Sequence, residues 1–109
     1  MVEPVRVSDR APDEPAPGVL ASQLGAGERV HGQHVHFEPD TAVDAHEHPH
    51  EQITYVLDGT VTMTIDGEDY DLSAGDSVIV PGGTPHAART EEAAEVLDVF
   101  SPPREDLLE

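Results

Sequence analysis

From Val19 to Phe100 the chain runs in short stretches of alternating apolar and polar residues, each closed by a turn signal. The stretches are Val19–Leu24, Arg29–Phe37, Ile53–Leu57, Val61–Ile65, Glu68–Leu72, Val78–Val80, His86–Arg89 and Glu95–Phe100. Between them stand Gly25-Ala26-Gly27, Glu38-Pro39-Asp40, Asp58-Gly59, Asp66-Gly67 and Pro81-Gly82-Gly83-Thr84-Pro85. A period of two reads as strand, and both Asp-Gly pairs suit tight hairpins because Gly takes positive φ without steric cost. No stretch shows a capped 3.6-residue period; Glu91–Ala94 is a candidate turn only. Many short strands at this spacing predict an all-β sandwich or small barrel, and no solenoid repeat is present. Residues 1–18, with four prolines, read as an extended arm in which Val5 and Val7 are placed to form a short edge strand. Residues 19–101 form the expected barrel, and residues 102–109 a tail that finishes as one helical turn.

Composition sharpens this picture. At 109 residues there is room for one domain with a modest core. Hydrophobic residues make up 37% and aromatics 4%, so the core must be aliphatic. The 23 acidic side chains face five basic ones, all Arg (Arg6, Arg10, Arg29, Arg89 and Arg104), for a net charge of −18. A chain so charged offers phosphates no basic stripe, which argues against nucleic acid and anionic membranes as partners. High charge with few aromatics also suits disorder, but the strand patterning opposes that reading. A better fit is a halophile's cytosol, where molar salt cuts the Debye length to about 3 Å and makes dense acidic surfaces tolerable. No apolar run approaches the ~18 residues of a membrane span, and the N-terminus lacks a leader pattern, so a cytoplasmic protein is expected. Without Cys, disulfides, thiolate metal sites and cysteine nucleophiles are excluded.

Six of the seven histidines lie between His31 and His50, and the seventh is His86. The densest piece is His46-Glu47-His48-Pro49-His50-Glu51-Gln52. On an extended segment His46 and His48 share a face and can converge on a divalent Zn, Fe, Ni, Cu or Mn ion. His50 is a weaker candidate, since a straight strand would carry it roughly 13 Å from His46. The plainer reading of a His run in an acidic chain is a solvated face pairing with Glu and Asp. That reading is preferred for His31, His34 and His36, with Val35 and Phe37 taking the buried face.

At these residues the chain resembles the cupins. His46-x-His48-x3-Gln52-x6-Gly59 is similar to the first cupin motif, HxHx3Ex6G, and Gly75-x5-Pro81-x-Gly83-x2-His86 to the second, Gx5PxGx2H. Three positions depart from the pattern: Asp40 stands where a Gly precedes the first motif, Thr90 where an Asn often follows the second, and Gln52 replaces the motif Glu. Glu51 is one residue off and turned away by alternation. The resemblance implies a double-stranded β-helix (jelly-roll) barrel holding one divalent metal through His46, His48, Gln52 and His86. A neutral Gln leaves the ion its full charge, which favours anionic oxygen ligands and Lewis-acid chemistry. The ending Asp98-Val99-Phe100-Ser101-Pro102-Pro103-Arg104, with His48-Pro49-His50-Glu51-Gln52, also resembles the small cupins of pectin and alginate breakdown that open unsaturated uronate rings. That likeness implies a catalytic Asp98 beside the metal, with Phe100 and Arg104 on the substrate.

The residues agree in part. Asp98 and Phe100 share a face of the last strand, where a carboxylate is costly unless it meets a polar lumen or a metal. The Arg104 fork matches a substrate carboxylate, although Asp98 in solvent and Arg104 paired with Glu105 or another surface acid would serve equally. The expectation is a metal-dependent enzyme converting a 4,5-unsaturated monouronate to its linear keto form. The alternatives are a cupin dioxygenase of the quercetinase or thiol-oxidising kind, and a non-catalytic sugar-acid-binding cupin. A small anionic substrate and a homodimer are the expected partners.

Overall fold

Alternation turns into architecture because successive side chains of a strand leave opposite faces of its sheet. Strand β3 (His31–Phe37) buries every second residue, His31, Gln33, Val35 and Phe37, and β10 (Ala94–Ser101) does the same with Ala94, Val96, Asp98 and Phe100. A computed structural model describes residues 2–9 and 11–108; Met1, Arg10 and Glu109, which fall in the expected arm and tail, lie outside the described residues.

The remaining strands are β1 (Asp13–Ala16), β2 (Val19–Ala26), β4 (Thr41–His46), β5 (Glu51–Asp58), β6 (Thr60–Ile65), β7 (Glu68–Ser73), β8 (Ser77–Val80) and β9 (His86–Thr90). They form a six-stranded sheet in the order β1-β2-β3-β10-β5-β8 and a four-stranded sheet in the order β4-β9-β6-β7. Every pairing is antiparallel. Val19, Val35, Phe37, Val56 and Val96 of the larger sheet pack against Val61, Met63, Ile65 and Leu72 of the smaller. This is an all-β jelly-roll with an aliphatic interior. Among the described residues no helix is long and apolar enough to cross a membrane.

Four expectations need correction. The edge strand of the N-terminal segment is Asp13–Ala16, paired with β2, whereas Val7–Asp9 is a 3-10 turn. β3 begins at His31 and not Arg29, because the Gly27 amide bonds to the Val30 carbonyl and turns the chain. Asp66-Gly67 closes the β6–β7 hairpin, both residues at positive φ (51° and 83°). Asp58-Gly59 makes no hairpin, because β5 and β6 belong to different sheets; it is the corner between them. Gly59 sits at φ 79°, and a Cβ there would stand 2.6 Å from the Ala93 carbonyl oxygen, so only Gly fits the corner. Lastly, His31 has the same parity as Val35 and Phe37 and is fully buried, not part of a solvated face. His34 and His36 do face outward, beside Glu95 and Glu38.

The departure at Asp40 is now explicable. It adopts φ 57°, the left-handed conformation that a Gly would enter without cost and that Asp tolerates. After β10 the tail crosses the barrel end. Ser101 Oγ donates to the Arg29 carbonyl at 2.7 Å, Pro103 is buried, and α1 (Glu105–Leu108) follows as a single turn.

Candidate metal centre

Between the two sheets lies a cavity of about 150 Å³ whose floor is apolar (Val19, Val35, Phe37, Val61, Met63, Val96) and whose mouth is polar. His46, Gln52, Thr54, His86, Asp98, Phe100 and Arg104 line that mouth. His46 ends β4 and pairs across the sheet with His86, which opens β9. His48 lies beyond the strand, in the loop before β5, so it reaches His46 through the bend of that loop and not through strand parity. The rings converge all the same: centroids are 4.3 Å apart for His46–His86, 4.8 Å for His48–His86 and 5.8 Å for His46–His48. One nitrogen from each of the three lies within 4.8 Å of the others.

Hydrogen bonds fix which nitrogen points inward. The Nδ1 atoms of His46, His48 and His86 meet the carbonyl oxygens of Asp44 (3.1 Å), His50 (3.0 Å) and Thr84 (2.8 Å). A carbonyl can only accept, so each Nδ1 carries the proton and each Nε2 presents a bare lone pair. The Nε2 of His86 is buried with no hydrogen-bond partner among the described residues. That of His48 lies 3.0 Å from Gln52 Oε1, acceptor against acceptor. Turning the Gln52 amide over would remove that conflict but lose its Nε2 bonds to Thr54 Oγ1 (2.9 Å) and Asp98 Oδ1 (3.4 Å). Several lone pairs facing one small space fit a divalent cation, and an imidazole and amide-oxygen donor set suits Zn, Ni, Fe, Mn or Cu. Burial holds the His48 and His86 pKa values below that of a free imidazole, most strongly aided for His48 by the charge of Arg104, which keeps both rings in the ligating form. His50 does not join the set; its carbonyl orients His48 instead.

Asp98 lies beside this centre, 8% exposed. Its Oδ1 accepts from Thr54 Oγ1 at 2.7 Å and its Oδ2 from Gln33 Nε2 at 3.1 Å. Burial pushes its pKa up; the donors Thr54 and Gln33 and the charge of Arg104 pull the other way without cancelling it. Phe100 packs edge-on to His48 at 5.8 Å. The Arg104 guanidinium lies over the Phe100 ring at 5.1 Å and forks onto Asp106 (Nε–Oδ1 3.1 Å, Nη2–Oδ2 2.8 Å) with its side chain only 13% exposed. All seven residues singled out from sequence thus come to one end of the barrel. Sequence reading missed Thr54, Gln33, Gln23 and His31. The available signal was parity: Gln33 and His31 fall in step with Val35 and Phe37, Gln23 with Val19 and Ala21, and Thr54 with Val56.

Three imidazoles and an amide at the mouth of a jelly-roll define the class, and a family model of the cupin domain matches residues 33–100, so the chain belongs to the cupin family. Within it the chain is similar to the pectin degradation protein KdgF of Dickeya dadantii, 36% identical over 76 residues that span 68% of this chain and 69% of that protein. The solved structure of KdgF from Halomonas sp. superposes with a TM-score of 0.87 at 28% identity, covering 98% of each chain. A shorter match, 48% identical over 46 residues, ties 42% of the chain to 13% of quercetin 2,3-dioxygenase from Bacillus subtilis.

Proposed function

We propose that the chain is a metal-dependent cupin enzyme that converts a 4,5-unsaturated monouronate to its linear keto form. The observation that carries this reading is the placement of Asp98, a buried carboxylate supplied only with donors, at the same cavity mouth as the metal ligands, Phe100 and Arg104. Its likeness to a pectin degradation protein over two thirds of both chains supports the substrate class.

A divalent metal held by His46, His48, Gln52 and His86 would supply Lewis acidity toward substrate oxygens. The reaction is an isomerisation: as the anomeric hydroxyl gives up its proton its oxygen forms an aldehyde carbonyl, the bond from the anomeric carbon to the ring oxygen breaks, and the enolate so freed takes a proton on carbon to become a ketone. No oxidant or reductant enters. Asp98 takes the hydroxyl proton on Oδ1 or Oδ2 and delivers one to carbon. Phe100 packs on the sugar face, and Arg104 pairs with the substrate carboxylate. The apolar floor offers water few polar partners in the lower cavity.

The test follows loss of the conjugated double bond's ultraviolet absorbance in molar salt, above the spontaneous rate. Asp98→Asn should lower the rate by roughly 10²–10⁴-fold with metal binding intact, and Arg104→Ala should chiefly raise KM. No acceleration by metal-loaded protein would overturn the reading. The short quercetin dioxygenase match favours the second reading, an oxygen-consuming cupin, and oxygen uptake would bring it forward. We further infer a cytoplasmic homodimer in high salt, paired through the outer face of the six-stranded sheet. There Ile53, Tyr55, Leu57 and Ile79 stand exposed, apolar surface that a second copy would cover.

A further inference from the structure

Four inward side chains lie side by side across four strands at one level of the larger sheet: Gln23, Gln33, Asp98 and Thr54. One step toward the barrel mouth is His31, buried completely beside Phe100 with ring centroids 5.4 Å apart. The hydrogen bonds among them have a direction that chemistry fixes at one end. The Arg104 backbone N–H can only donate, and it meets His31 Nδ1 at 3.3 Å. A His31 ring that accepts at Nδ1 carries its proton on Nε2, which donates to Gln23 Oε1 at 2.7 Å. Gln23 Nε2 then donates to Gln33 Oε1 at 2.7 Å, and Gln33 Nε2 to Asp98 Oδ2 at 3.1 Å. Each amide passes the polarity on, so the chain ends by pressing a donor on the carboxylate. Reversing one amide would set acceptor against acceptor on one side and donor against donor on the other.

We propose that Gln33 is a positioning residue for Asp98, held in place by Gln23 and His31, and that the seating of the tail at Arg104 reaches the carboxylate through this chain. The inference rests on the proposed role of Asp98 only where turnover is concerned. The chain gives the polar side chains of this row partners, whereas the row one step deeper, Ala21, Val35, Val96 and Val56, is aliphatic. It also assigns His31 the tautomer opposite to that of His46, His48 and His86, whose Nδ1 atoms face carbonyls.

Three measurements on the full-length protein test it. Nitrogen-15 NMR of labelled histidine should find the His31 proton on Nε2. Hydrogen exchange should find the Arg104 amide protected, and Gln23→Met, which keeps the side-chain length but neither donates nor accepts strongly, should speed that exchange about tenfold, the worth of one modest hydrogen bond. In the uronate assay Gln33→Met should lower kcat about tenfold with KM and cobalt binding unchanged. Gln23→Met should lower kcat by a smaller factor, and the double variant should be no slower than Gln33→Met alone, as expected of links in series. A His31 proton on Nδ1, an Arg104 amide exchanging equally fast in wild type and Gln23→Met, or an unchanged kcat in Gln33→Met would overturn the proposal. The first two readouts decide the chain even if the wild type turns over no uronate, an outcome that would sink the proposed function alone.

Discussion

Two rows of inward side chains cross the same four strands, β2, β3, β10 and β5, two residues apart. The deeper is Ala21–Val35–Val96–Val56; the row nearer the mouth is Gln23–Gln33–Asp98–Thr54. Backbone register is the same in both. The deeper row gains its stability from methyl groups removed from water, roughly 25 cal/mol for each Å², and needs no particular orientation of any member. The outer row gains little from burial and is held by direction, each donor aimed at one acceptor. A barrel floor therefore tolerates substitution by shape, whereas the mouth tolerates it only by hydrogen-bonding pattern.

Experiments that separate the rows span a wide range of effect. Beyond the outer row, replacing both His46 and His48 by Ala should abolish stoichiometric binding of zinc or cobalt in titration calorimetry, because neutral imidazoles supply most of the affinity. The apo variant should still unfold cooperatively, since the deeper row does not depend on the ion. Val96→Ala should do the reverse, costing roughly 1–3 kcal/mol in denaturant unfolding while metal affinity stays within error. Salt should act on neither row: with a net charge of −18, the thermal midpoint followed by circular dichroism should climb steeply from low to molar salt through screening of the surface. A midpoint indifferent to salt would remove the halophilic reading.

The smallest expected effect concerns pH. Burial, with the charge of Arg104, holds the folded-state pKa of His31 below the 6.5 of a free histidine, against weaker opposing pulls from Asp106 and Glu105; nearby His50 lowers it slightly. The unfolded chain thus binds the proton first. The stabilisation from the neutral ring is fully present above pH 6.5 and is lost as pH falls toward the lower folded value. The advantage of wild type over His31→Gln in unfolding free energy should accordingly shrink as pH falls below 6.5. A constant difference would show that His31 does not titrate with folding.

Much of the fold was legible because its signal is local. Alternation located β2, β5, β6, β8 and β10 within a residue or two, and Asp66-Gly67 announced its hairpin. β4 was missed since only Val43 along it packs on the core, and its remaining residues look like a loop. The Asp58-Gly59 corner could not be told from a hairpin, because pairing partners are a property of the sheets and not of the turn. At the site, motif spacing pointed to His46, His48, Gln52 and His86. The amides Gln23 and Gln33 stayed hidden because a polar residue at an inward position looks, in one dimension, like a polar residue facing water. His31 was misplaced for the same reason.

The fork between Arg104 and Asp106 sets a threshold for anything that binds there. An incoming carboxylate that takes the guanidinium must first evict one supplied by the same chain two residues away. A group tethered so closely competes as though present at about millimolar concentration or above, so Asp106 behaves as a built-in rival to the ligand. Any carboxylate that takes the guanidinium would therefore bind more weakly than it would to an unpaired fork.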